Sequence, residues 1–222
     1  MFVRGNSKLG DAVWSWAIPA GKTCPGKSEL CIAHCYAKKG NFLRSNVSES
    51  HRKNWAKAKT RKFVPAAIAE IRRKQIRTLR IHAAGDFDRV RYIRDWLEIV
   101  KACPQTRFYA YTRSWRKPEL RKELLRLARE PNFSLWFSAD RETGAPPKTQ
   151  NTRRAYMAVS DEDVARFPVD LVFRVSRKTI QKFDAKDRLV CPAENGVTRT
   201  TCTVCRLCIS RRAIPQRKRH GL

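Results

Sequence analysis

Acidic residues are scarce in this chain. Asp and Glu number 20 against 48 Lys and Arg in 222 residues, a net charge of +28. That imbalance excludes an acidic, self-repelling polypeptide and predicts an anionic partner, most often nucleic acid. Long apolar runs are missing too. The longest, Phe63 to Ala69, falls far short of a membrane span. Met1 to Trp16 holds no apolar stretch of the roughly 7–15 residues that a signal peptide carries. The expected compartment is therefore the cytoplasm, with no membrane partner. No Gly-x-Gly-x-x-Gly turn follows a strand-like segment, which leaves a dinucleotide fold without support. Neither a helix-turn-helix pattern nor a C2H2 finger is present, so nothing indicates sequence-specific reading of DNA.

Hydrophobic residues make up 42% of the chain, enough for a sizeable core. Three segments read as buried parallel strands: Thr78 to Ala84, Arg107 to Arg113 and Phe133 to Ala139. Helical faces lie between them. Ile93, Trp96, Leu97 and Val100 form one, with Asp88 as its expected cap and Pro104 as its stop. Leu120, Leu124 and Leu127 form another, entered at Pro118. Val64, Ile68 and Ile71 mark a third upstream. Ala12 to Ala20 reads as a first strand, and Tyr156 to Val159 and Val169 to Val175 as later ones. Ser160 and Asp163 between the later two resemble a capping box.

Alternating strands and helices predict an α/β fold with a parallel sheet. A partial β/α barrel is the first expectation and a doubly wound open sheet the second. The barrel is expected over residues 1–185. Residues 186–222 are expected to form a small Cys-rich metal-binding appendage with a basic tail.

Eight cysteines in a reducing compartment point to metal rather than disulfides. Cys24, Cys31 and Cys35 have the spacing C-x6-C-x3-C. Three thiolates on one loop can hold three irons of a [4Fe–4S] cluster and leave the fourth open. Zinc is the alternative, with His34 available as a further ligand, and ordinary core cysteines come third. Cys191, Cys202, Cys205 and Cys208 form a second group. Its C-x2-C-x2-C run resembles part of a ferredoxin ligand run, and four sulfurs also suit structural zinc. Cys103 reads as a buried structural thiol.

In parallel β/α folds chemistry gathers at the carboxyl ends of the strands. Three predicted strands end in polar residues: Gly85-Asp86, Arg113-Ser114 and Ser138-Ala139-Asp140. Arg113 and Asp140 are the candidate catalytic residues; the simpler role for Asp86 and Asp140 is to cap turns. His82, Tyr111 and Trp115 read first as structural. Basic charge is concentrated from His51 to Arg80, with eleven Lys or Arg against Glu70 alone, and again in Arg211, Arg212, Arg217, Lys218 and Arg219. Both runs fit a phosphate backbone.

Cys24, Cys31, Cys35-Tyr36-Ala37, Gly85-Asp86-Phe87 and Tyr109 to Trp115 together resemble the phage gene product eighty-eight family. The resemblance runs from about Trp14 to Cys208. That family in turn resembles radical S-adenosylmethionine (SAM) enzymes, whose fold is a partial β/α barrel. The resemblance implies a [4Fe–4S] cluster on the three-cysteine loop, with SAM on the open iron. It also places Tyr36, Gly85 and Asp86 at the cofactor. Gly85 would allow close backbone approach, and the Asp86 carboxylate would bind the SAM amino group. The radical SAM spacing is x3 and x2, however, and its aromatic precedes the last cysteine, whereas Tyr36 follows it here. Three functions stand side by side: an iron–sulfur enzyme with a nucleic-acid or nucleotide substrate, a metal-stapled nucleic-acid binder, and a two-cluster redox protein.

Overall fold

The computed structural model describes residues 1–160, 162–163, 165–175, 190–193 and 200–210. It is a mixed α/β fold built on one seven-stranded sheet. The strands are β1 (Val3–Arg4), β2 (Trp14–Trp16), β3 (Thr78–Ile81), β4 (Arg107–Thr112), β5 (Phe133–Ala139), β6 (Thr152–Ala158) and β7 (Leu171–Arg174). Their order across the sheet is their order along the chain, and among the described residues β1 and β7 do not pair with each other. Among the described residues only β1 is antiparallel to its neighbour; the other pairs are parallel.

The helices are α1 (Glu29–Ala33), α2 (Ser45–Lys57), α3 (Phe63–Arg73), α4 (Val90–Ala102), α5 (Pro118–Leu127) and α6 (Cys202–Cys205). In α4 the buried residues Tyr92, Ile93, Trp96, Ile99 and Val100 recur at helical spacing. Leu120, Leu124 and Leu127 do the same in α5, which starts at Pro118 because proline suits a first helical turn. These stripes meet Leu79, Ile81, Phe108, Ala110, Phe133, Leu135 and Phe137 in one core cluster.

Strand alternation sends the intervening residues to the other face. Tyr109, Tyr111, Trp136 and Phe173 point there, against Leu9, Val13, Cys191, Cys208 and Ile209. So α3, α4 and α5 cover one face, and the N- and C-terminal segments cover the other. Among the described residues the strand order has no reversal, whereas a doubly wound sheet reverses its order.

Several local expectations need correction. Asp88 does not cap α4: it accepts from the Trp55 indole at 2.8 Å and pairs with Arg89. Asp163 opens no helix among the described residues. Its carboxylate turns back to accept from the Tyr156 hydroxyl and the Val159 amide, closing the turn after β6. The strand expected first, over Ala12 to Ala20, is the second, β2, and covers only Trp14–Trp16; Val3–Arg4 precedes it. Strand β3 stops at Ile81 because His82 takes a positive φ of 65°. The 185/186 boundary and the basic tail from Arg211 onward lie outside the described residues.

The helix-side core sets the stability of the fold. Leu124 is fully buried. Leu124→Ala is expected to cost about 2–5 kcal/mol through lost burial and a residual cavity. Urea unfolding should show a lower midpoint with an unchanged slope.

Candidate functional site

The chain between β2 and α2 crosses the carboxyl ends of the parallel strands. Glycine makes that crossing feasible at two places. A Cβ on Gly26 would lie 1.8 Å from the Arg113 carbonyl oxygen. One on Gly85, whose φ is +80°, would lie 2.4 Å from Ile18 and 2.7 Å from the Thr23 hydroxyl. The loop carrying Cys24 therefore seats directly on the ends of β3 and β4.

Asp140, at the end of β5, anchors the next part of that loop. Its carboxylate is wholly buried and ion-paired with the buried Arg113 guanidinium. It also accepts from the Ser28 hydroxyl at 2.5 Å. Ser28 is the N-cap of α1 and accepts from the Cys31 amide at 3.0 Å. Glu142 accepts from the Leu30 amide at 3.0 Å. The other Asp140 oxygen takes the amides of Glu142 and Thr143, so this residue closes its own turn as well. Burial alone would push the Asp140 carboxyl up. The Arg113 charge and the hydrogen bonds from Ser28 and Arg113 outweigh it and hold the carboxyl below the usual range.

Asp86 is buried between β3 and β4. It accepts from the Thr112 hydroxyl at 2.6 Å and from the amides of Arg113 and Phe87 at 2.8 and 2.7 Å. Burial still pushes its carboxyl up to about 6, against the pull of those hydrogen bonds.

Cys24, Cys31 and Cys35 share this end of the sheet and lie within electrostatic reach of one another. All three are free thiols. Burial, with the nearby Asp86 charge, pushes Cys24 up to about 12, while the Gly21 amide donates to its sulfur at 3.4 Å. Cys31 is raised by burial as well, with Arg113 opposing. Tyr36 donates its hydroxyl to the Ala83 carbonyl at 2.7 Å and accepts from Arg80 at 3.3 Å. The structure thus brings Cys24, Cys31, Cys35, Asp86, Arg113 and Asp140 to one place, with Gly85 and Tyr36 at its edge.

The second cysteine group stands apart, against the other face of the sheet. Cys191, Cys202, Cys205 and Cys208 line one small cavity with Leu171 and Ala193. Tyr111 donates to the Cys208 sulfur at 2.7 Å, and burial pushes that thiol up to about 11. The segment is sewn down at several points. Trp136 donates to the Cys208 carbonyl, Ser134 to that of Ile209 and Arg153 to that of Leu207. Beside it, the Tyr109 hydroxyl and the Arg80 Nε are buried without a hydrogen-bond partner among the described residues. Among those residues, no three His, Cys, Asp or Glu side chains stand close enough to clasp a single metal ion.

Tyr111 and Trp115 are internal. The first stacks on Trp136 at 5.5 Å, and the second donates to the Ser138 carbonyl. His82 faces Phe87 and Tyr92 in the core, and burial pushes its imidazole down to about 3. Cys103 is buried at the end of α4.

Sequence reading missed Ser28, Glu142, Arg80 and Arg153. Ser28 had a local signal, as a serine opening a short helix; the other three had none, because their partners lie far off in sequence.

The family model described as Gene product 88 matches residues 1–211. The chain belongs to the gene product 88 family. The Gene 88 protein of Mycobacterium phage L5 is 32% identical to it over 149 residues, which cover 61% of this chain and 60% of that protein. The Gene 88 protein of Mycobacterium phage D29 is 29% identical over the same length, with the same shares. The match therefore spans about 60% of each relative. No solved structure matches this gene product 88 protein. No helix among its described residues is long and apolar enough to cross a membrane.

The Arg113–Asp140 pair gives this family member a defined acid response. Asp140 is held below its unfolded value, so its stabilisation is present above the ordinary carboxylate range and is lost as pH falls through the folded value. Asp140→Asn leaves Arg113 buried without its counter-charge and should cost about 3–5 kcal/mol at pH 7. In denaturant titrations the gap between wild type and variant should narrow towards pH 3.

Proposed function

We propose that this gene product 88 protein is an iron–sulfur protein of the radical SAM type, acting on or bound to nucleic acid. The carrying observation is the convergence of three free thiols with Asp86, Arg113 and Asp140 at the carboxyl ends of parallel strands. On this reading the sequentially ordered sheet is a partial β/α barrel, and the C-terminal cysteine segment plugs its inner face.

The residues present fit a [4Fe–4S] cluster. Three sulfurs of one loop lie within electrostatic reach of one another, and a backbone amide donates to Cys24, as amides do to cluster ligands. Buried thiols resist ionisation alone, and a bound cluster supplies the positive charge that they lack. A cube held by sulfurs on separate irons also accepts a wider spacing than a single ion. SAM, when bound at an open iron, supplies one-electron homolytic chemistry. Asp86 would receive its ammonium, and Gly85 and Tyr36 would border it. Arg113 and Asp140 hold the cysteine loop to the strand ends and keep its approach rigid.

The C-terminal group fits a metal as well. It offers four thiols around one cavity, beside a buried cation and an orphaned phenol that an anionic metal–thiolate centre would satisfy. A second cluster and a zinc ion both suit this donor set. The anchoring of its carbonyls by Trp136, Ser134 and Arg153 favours a structural metal here. If the N-terminal loop holds only a structural metal too, the protein is a non-enzymatic, metal-stapled nucleic-acid binder.

Metal and sulfide analysis of protein purified without oxygen separates these readings. The expected result is iron with near-equal sulfide and a brown chromophore. The Cys24/Cys31/Cys35→Ala triple variant should lose about four irons. Addition of SAM should change the EPR spectrum of the reduced wild type. Stoichiometric zinc without sulfide would end the radical-enzyme reading and leave the metal-stapled binder.

A further inference from the structure

Between Ile32 and Ser48 the chain has no acidic residue. It forms two short 3-10 turns, Tyr36–Lys38 and Gly40–Leu43, before α2 begins. The turns lie at the rim of the N-terminal cysteine group, since Tyr36 follows Cys35 directly. Three rings run across this surface. Tyr36 meets Phe42 edge-on at 5.6 Å between centroids, and Phe42 meets His51 at 6.0 Å.

Tyr36 is 54% exposed, in a protein that buries most of its other aromatic side chains. Such exposure usually goes with a mobile ring. Here the ring is fixed, because its hydroxyl is held by both the Ala83 carbonyl and the Arg80 guanidinium. Leu43 beside it is 67% exposed. Lys38, Lys39 and Arg44 are exposed around the rings, and no ion pair among the described residues engages them, while Arg52 on α2 donates to the Ser48 hydroxyl and lies near Glu49. A fixed ring open to solvent, an apolar neighbour and unpaired cations form one patch.

We infer that this rim is a binding platform for single-stranded nucleic acid, with Tyr36 and Phe42 stacking on bases and Lys38, Lys39 and Arg44 holding phosphates. The inference rests on the nucleic-acid reading above and adds the strandedness and the place. Stacking needs an open base face, which a single strand offers and a duplex hides. Phosphates supply the anionic partner that an acid-free segment lacks. A strand on this platform passes beside Cys35, so a stacked nucleotide comes to the mouth of the candidate cluster site.

The test is fluorescence anisotropy of the full chain with labelled oligo(dT) and oligo(rU) of about 15 nucleotides, and with a hairpin duplex of equal charge. The wild type should bind both single strands more tightly than the duplex. Phe42→Ala and Tyr36→Leu should each weaken single-strand binding about fivefold or more and leave duplex binding unchanged. Tyr36→Phe, which keeps the ring, should retain most of the affinity. Reversal of Lys38, Lys39 and Arg44 to Glu should lower the slope of log K against log salt by about 2. Circular dichroism and melting of each variant confirm that it has folded.

Equal affinity for duplex and single strand, or no loss in the ring variants, overturns the platform. So does loss on reversing Arg72, Arg73 and Arg77 of the α3 end with none on reversing the rim; nucleic-acid binding then stands, but elsewhere. Full displacement by a mononucleotide, with no dependence on strand length, overturns it in favour of a free-nucleotide site. No binding of any nucleic acid at low salt removes the broader nucleic-acid reading as well.

Discussion

A buried ion pair holds the carboxyl end of the sheet and the cysteine loop together. Asp140 has no solvent exposure, and its carboxylate must be matched or protonated. Arg113 from the end of β4 supplies the charge, and Ser28 supplies a hydroxyl. Through Ser28 the pair fixes the first turn of α1, and with it Cys31. Asp86 does the corresponding work one strand over, by binding the end of β4 to the chain after β3. Two carboxylates and one guanidinium therefore set where the cysteine loop lies. Hydrophobic packing alone could not do this, because apolar contact does not specify direction.

The sheet divides the rest of the protein by strand parity. Even-numbered residues of β4 meet the helices, and odd-numbered ones meet the terminal segments. A parallel sheet needs cover on both faces. The second cover here is too short to be a helical layer, and it is held by carbonyl-directed hydrogen bonds from Trp136, Ser134 and Arg153. Cys191, Cys202, Cys205 and Cys208 line one cavity within it. The two cysteine groups thus differ in setting. One lies at the strand ends, among charged side chains; the other lies under the sheet, beside aromatic rings and Arg80.

The large positive charge is not spread evenly over function. Some cations are structural: Arg113 neutralises Asp140, Arg153 anchors a chain segment, and Arg80 orients Tyr36. Lys38, Lys39 and Arg44 have no such duty. They face solvent at the rim of the cysteine loop.

The sequence by itself determined the alternation of strand and helix from α3 to β5, the family, and the residues with chemical potential, but not β1, α1, α2 or α6. Apolar periodicity with Pro104 and Pro118 was enough for α4, α5 and the strands β3 to β5, because those signals are local. It also singled out Cys24, Cys31, Cys35, Asp86, Arg113 and Asp140, since cysteine spacing and polar strand ends are visible in one dimension. Local signals misled where a carboxylate had a distant competitor, as when Asp88 gave up its cap for the Trp55 indole. Only the tertiary structure decided that Ser28 and Asp140, 112 residues apart, share a hydrogen bond. It alone placed the C-terminal cysteines against Tyr111 and left Tyr36 facing water with its hydroxyl tied. Those outcomes depend on which groups strand register and crossover connections bring within about 3 Å of each other, and no local sequence pattern encodes that distance.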